Sequence, residues 1–114
     1  MDISNNLFDD MYRRTNLNGY TEDKLPNDRE KTAIKESFYY MLPLILNEMT
    51  QRQRDVISLY YGYNNTQDDI ARTLRINQSN VSVHLSNALA VVDKYFLIIY
   101  KSTLWGLRYE KGKR

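Results

Sequence analysis

Between Thr66 and Leu89 the chain reads TQDDIARTLRINQSNVSVHLSNAL, and the order of apolar, small and capping residues leaves few folds open to it. Ile70, Ala71 and Leu74 recur at the spacing of one helical face, and Ile76, Val81, Leu85 and Ala88 continue an apolar stripe beyond a break. Thr66, with Asp69 three residues on, suits the N-cap of a first helix, and Asn77 that of a second, so the turn falls at Arg75 to Asn77. Ala71 is small where the two helices must approach closely, and Ile76 is an apolar plug between them. This spacing predicts a helix-turn-helix, whose second helix is shaped to lie in a DNA major groove.

With Val81, Leu85, Ala88 and Val92 turned inward, the second helix projects Ser79, Ser82, Val83 and Ser86, with Asn77 and Gln78 at its tip. Amide and hydroxyl groups read base edges, and Val83 is suited to a thymine methyl. No charged residue occurs from Ile76 to Val92, so phosphate contacts must come from elsewhere, with Arg52, Arg54, Arg72 and Arg75 the first candidates. The alternative is an ordinary helical hairpin whose polar face meets water. Solvated helix faces usually carry Lys and Glu, whereas this one is an uninterrupted Ser/Asn/Gln set of poorer helix propensity.

A chain of 114 residues with 42% hydrophobic and 12% aromatic residues suits one domain with a modest core. The net charge of +2 hides an asymmetry: residues 1–50 hold six Lys/Arg against nine Asp/Glu, and residues 51–114 hold ten against five. The basic half is the half with the helix-turn-helix, a field that favours nucleic acid once a reading element is present. There is no cysteine for a disulfide or thiolate site, no stretch reads as a membrane span, and the N-terminus lacks a signal-peptide layout, so a soluble cytoplasmic protein is expected. The single histidine, His84, has no second metal ligand or nucleophile at a working spacing, and the four glycines form no phosphate-cradling loop. Neither an enzyme nor a cofactor is expected.

Upstream, residues 1–27 scatter Ile3, Leu7, Phe8, Met11 and Tyr12 among polar positions, permitting one short helix and then a loop containing Gly19 and Pro26. They read as an N-terminal arm, a candidate mobile segment. From Asn27 or Asp28 a helix with Ala33, Ile34, Phe38, Met41, Leu42 and Ile45 on one face runs to about Met49, with a kink or break expected at Pro43. Thr50 and Gln53 form a capping box that opens a helix ended by Gly62, Asn64 and Asn65.

Beyond Ala88 the stripe continues through Leu89, Val92, Phe96 and Ile99, making a long C-terminal helix that is apolar nearly all round at Tyr95–Tyr100. Either the helix at 29–49 wraps it or it forms a homodimer or partner-protein contact; Leu104, Trp105 and Leu107 are placed to add to that packing. The domain thus spans 28–107, and residues 108–114 form a basic tail of Arg108, Lys111, Lys113 and Arg114. The fold class is all-α, a small helical domain with a helix-turn-helix and a long C-terminal helix.

Residues 46–95, LNEMTQRQRDVISLYYGYNNTQDDIARTLRINQSNVSVHLSNALAVVDKY, resemble region four of bacterial sigma factors, on Arg52 and Arg54, Ile70-Ala71, Leu74, Ile76, Val81, Leu85 and Ala88. The resemblance implies a domain that reads the upstream promoter element in double-stranded DNA and works with bacterial RNA polymerase. Three departures stand out. Nothing upstream has room for the second sigma region, so a complete sigma factor is not expected; the recognition helix lacks the basic residues many members carry; and Arg75 replaces a small residue often seen before the plug. Stand-alone proteins of this type occur in phages and mobile elements as transcription regulators, and also as partial sigma factors that work with a separate subunit. The resemblance implies one of these roles without choosing between them, and a sequence-specific transcription regulator is the first reading. Two other readings stay open: a module that binds RNA polymerase or a sigma-like partner without reading DNA, and a phage DNA-packaging subunit.

Overall fold

The structure, a computed structural model, describes residues 2–17 and 25–110. Those residues form α1 (Ser4–Leu17), α2 (Asp28–Asn47), α3 (Gln51–Gly62), α4 (Gln67–Leu74) and α5 (Gln78–Trp105), after which the chain tightens into a π-helical turn at Gly106–Glu110. No strand occurs among them, in keeping with the all-α expectation. Gly19 of the predicted loop and Lys111, Lys113 and Arg114 of the predicted tail lie outside the described residues.

Helix α5 is the spine. Its 28 residues span about 42 Å at 1.5 Å per residue, and each of the other four helices packs on it. Val81, Leu85, Ala88, Val92, Phe96 and Ile99 are buried along one side, the i, i+4, i+7 pattern that lays a continuous apolar seam along a helix. The seam meets Ile34, Phe38, Leu42 and Ile45 of α2, Val56 and Ile57 of α3 and Ile70 of α4 in one core.

Helix α2 begins with a capping box, in which the Asn27 side chain accepts from the Glu30 backbone N–H at 2.8 Å and the Asn27 N–H donates to Glu30 Oε1 at 3.0 Å. It runs antiparallel to α5: Arg108 pairs with Glu30 near its start, at 2.8 Å, and the Tyr95 hydroxyl donates to Glu48 at its end. Arg108 is therefore a packed, ion-paired residue in the domain and not the first residue of a solvated tail. Of the kink or break expected at Pro43, the break does not occur, because α2 is one continuous helix through it. Pro43 is exposed while Leu42 and Ile45 on either side of it are buried, so packing holds both flanking turns helical although one backbone donor is missing.

The N-terminal segment is part of the core. Ile3, Leu7, Phe8 and Met11 of α1 and its lead-in are buried, and the Phe8 ring lies 5.8 Å from Phe96 and 6.0 Å from Phe38, centroid to centroid. Those aromatic contacts join α1, α2 and α5 at one point. Polar ties fix the same helix from outside: the Tyr61 hydroxyl donates to Asp10 at 2.7 Å, the Tyr100 hydroxyl to Asn16 at 2.9 Å, and the Arg14 guanidinium to Asp93 at 3.0 Å. An arm separate from a 28–107 domain does not describe this arrangement.

The expectation of burial all round at Tyr95–Tyr100 is likewise corrected. Phe96, Ile99 and Tyr100 are buried, but Ile98 is 57% exposed, because α1 and α2 cover only one side of the helix there. By length and composition the continuous helix Gln78–Tyr109 is apolar enough to cross a membrane, the one such helix among the described residues. Core helices pass the same test, and this is the core helix.

Replacing Phe8 by Ala should lower stability by about 3–5 kcal/mol in urea unfolding, the usual cost of emptying an aromatic core site. A change within about 0.5 kcal/mol, as for an exposed residue, would show that α1 is not part of the cooperative unit.

Candidate nucleic-acid interface

The sequence around Thr66 dictates a short, well-bounded helix. The Thr66 side chain accepts from the Asp69 N–H at 3.1 Å, while the Thr66 N–H donates to the Asp69 carboxylate at 3.2 Å. These bonds hold the Asp69 carboxyl below the usual carboxylate range, and the neighbouring Arg72 adds to the effect. Helix α4 stops at Arg75, which takes the left-handed conformation at φ 58° and ψ 47°. That geometry lets the N–H of Ile76 reach Ala71 O at 3.0 Å and closes the last turn. Ile76 is then half-buried between the helices, with Ile70 and Val81 fully buried beneath it. Asn77 has N-cap backbone geometry, but its side chain makes no capping hydrogen bond.

The second helix of the pair is the first half of α5. Since Val81, Leu85 and Ala88 are buried, the opposite side faces outward, and Asn77, Gln78, Ser79, Ser82, Val83 and Ser86 are all exposed. Val83 is 56% exposed, an isolated branched apolar side chain amid hydroxyl and amide groups. Asn80 and Asn87 share this exposure and extend the amide-bearing surface, though the spacing argument passed over them. Gln67, at the start of α4, was also missed: it accepts a hydrogen bond from the Ser82 hydroxyl across the two helices. No local pattern marks that pairing, because the partners are fifteen residues apart and meet only once the helices cross. His84 is half-buried beside the stripe.

The four arginines fare differently. Arg72 carries a 70% exposed side chain paired to Asp69, and Arg75 is exposed at the turn, both adjoining the outward face of α5 in the chain. Arg52 is half-buried in the first turn of α3. Arg54 is committed elsewhere: its guanidinium donates to Met49 O at 2.7 Å, Leu46 O at 3.2 Å and Gln51 Oε1 at 3.0 Å. It adds a charged donor to the carbonyls of Leu46 and Met49 at and just beyond the end of α2, the first of which also accepts from the Met49 N–H at 3.1 Å, and so ties the corner between α2 and α3. The structural role also accounts for an arginine near a helix N-terminus, where the macrodipole opposes it.

Beside Ser82 and Ser86 an open groove of about 370 Å3 runs up α5, lined by Gln67, Ala90, Asp93 and, from α1, Arg14. The groove joins the outward face to a helix far away in sequence.

Two helices crossing over a plug residue, the second presenting an uncharged polar surface, make a helix-turn-helix. Residues 45–93 match the family model Sigma-70, region 4. That segment is similar to sigma region four, a DNA-binding regulatory domain family, and it takes in the end of α2, all of α3 and α4, the turn and the first part of α5. Helix α1, most of α2 and the C-terminal end of α5 lie outside the match. No curated protein and no solved structure matches the chain.

Urea unfolding should separate the arginines by sign. Arg54→Ala should lose about 2–3 kcal/mol, because the carbonyls it holds are left without a charged donor. Arg75→Gly should gain about 1 kcal/mol by relieving the left-handed strain of a residue with a Cβ. A stable Arg54→Ala or a destabilised Arg75→Gly would contradict these assignments.

Proposed function

We propose that this protein is a sequence-specific, DNA-binding transcription regulator of the sigma region-four type. Its recognition element is the first half of α5, entering the major groove of a promoter or operator. Asn77, Gln78, Ser79, Ser82, Val83 and Ser86 meet base edges, and Arg52, Arg72 and Arg75 meet phosphates. One observation carries the reading: the six base-reading candidates stand exposed on one side of a helix whose other side is buried, within the matched segment. The uncharged surface fits readout by hydroxyls, amides and a methyl-contacting valine, with the charge for affinity placed outside the groove-facing helix. In this reading RNA polymerase is the second partner.

A second reading, a module that binds RNA polymerase or a sigma-like factor without reading DNA, draws on a different observation. Tyr40 and Leu44 of α2 and Ile98 and Trp105 of α5 are large apolar side chains more than half exposed, available to a partner protein. A homodimer could use the same side chains.

Selection of binding sites from random duplex DNA at moderate salt decides between them. The DNA-reading account expects an enriched motif that Ser82→Ala/Ser86→Ala relaxes, whereas Arg72→Ala weakens binding to all sequences alike and reduces the salt slope. Absence of enrichment, together with co-purification of polymerase, would replace it with the protein-binding reading; enrichment of a palindrome would add the dimer.

A further inference from the structure

We propose that the DNA interface extends onto α1: Arg14 binds a backbone phosphate of the duplex that α5 reads, and Asp93 holds the guanidinium in position for it. The inference rests on the DNA-reading account above and names a contact that neither the matched segment nor the sequence pattern contains.

The geometry is that of a rim beside the reading surface. Asp93 follows Ser86 by seven residues, which on an α-helix is two turns: the same side, about 10 Å further along the axis. Arg14 donates to Asp93 at 3.0 Å and lines the same groove as Ser82 and Ser86, so α1 delivers its guanidinium to the side of α5 that carries the reading serines. In a helix-turn-helix the N-terminal residues of the recognition helix meet the base edges. A cation on the same side of α5, roughly 10 Å further from that end than Ser86, stands toward the backbone that borders the bases. Both members of the pair are partly solvated, at 35% and 45% side-chain exposure. A guanidinium has five N–H donors, and one carboxylate leaves some of them to a second acceptor.

The charge distribution calls for such a donor. The stretch from Ile76 to Val92 has no charge of its own, and Arg54 is occupied by the corner between α2 and α3. Asp93 has two opposed effects on a phosphate at the groove: it orients Arg14, and it repels the phosphate directly. If the pair merely fastened α1 to α5, substituting either member would cost stability and leave the affinity of the folded protein for DNA unchanged. If Arg14 meets phosphate, Arg14→Gln weakens DNA binding, whereas Asp93→Asn, whose amide oxygen still accepts from the guanidinium while its negative charge is gone, strengthens it.

The test uses the full chain and the duplex obtained by selection, with binding followed by fluorescence anisotropy across a salt series and folding checked by circular dichroism. Arg14→Gln should weaken binding to every duplex and reduce the slope of log K against log salt by about 0.9, the signature of one lost phosphate contact. Between 50 and 200 mM salt the wild type should then lose roughly three- to fourfold more affinity than this variant. Arg14→Lys should keep the slope, and Asp93→Asn should bind more tightly than wild type. Wild-type affinity and slope in Arg14→Gln would overturn the proposal while leaving DNA reading intact. Should Arg14→Gln fail to fold, weaker or unchanged binding by folded Asp93→Asn would overturn it instead. Failure of the wild type to bind any duplex would remove the DNA-reading account, and this contact with it.

Discussion

The burial of Val81, Leu85, Ala88, Val92, Phe96 and Ile99 along one side of α5 is the constraint on which the remaining structure depends. A fully buried aliphatic or aromatic side chain is worth about 1.5–3 kcal/mol relative to an exposed one, so rotating α5 out of this register would forfeit several such terms together. The rotation of the helix is therefore fixed by its core side, and the outward direction of Ser79, Ser82, Val83 and Ser86 follows. The first half of α5 presents the polar surface, the second half anchors it among Phe8, Phe38 and Phe96, and one continuous helix makes the two inseparable.

Helix α1 completes this anchoring. Its apolar side closes the aromatic cluster, and its polar side is tied to α3 by Tyr61–Asp10 and to α5 by Tyr100–Asn16 and Arg14–Asp93. Burial raises the Tyr61 hydroxyl pKa, with the Asp10 carboxylate adding to the shift, and pushes that of Tyr100 up to about 12, chiefly by desolvation. Both hydroxyls thus remain protonated donors at ordinary pH. Because α1 also walls the groove beside Ser82 and Ser86, the same docking that stabilises the fold sets the outer edge of the polar face proposed to read DNA.

What was legible in the sequence was what local spacing determines. Thr66 with Asp69 and Thr50 with Gln53 are capping patterns at a spacing of three, and each forms as its spacing requires. The turn at Arg75 to Asn77 and the inward stripe of α5 follow from helical periodicity in the same way. What was not legible depends on residues distant in the chain. Ile3 and Phe8 look scattered until α2 and α5 supply the rings and side chains around them. Arg54 resembles a phosphate ligand until the end of α2 presents the carbonyls of Leu46 and Met49 to it. Pro43 reads as a helix breaker because the packing of Leu42 and Ile45, which overrides it, is tertiary.

Ile98 and Trp105 are exposed toward the end of α5, where the Trp105 and Tyr109 rings lie 4.7 Å apart. They stand at the other end of α5 from the residues proposed to read DNA, so DNA binding and apolar docking make opposed demands on a binding experiment. The most direct measurement is an amide chemical-shift map of isotope-labelled protein titrated with duplex DNA. The account predicts that the perturbed amides cluster at the start of α4, at Arg75 to Ser79 and at Ser82 to Asn87. Perturbations confined to Ile98–Tyr109, or absent altogether, would contradict it.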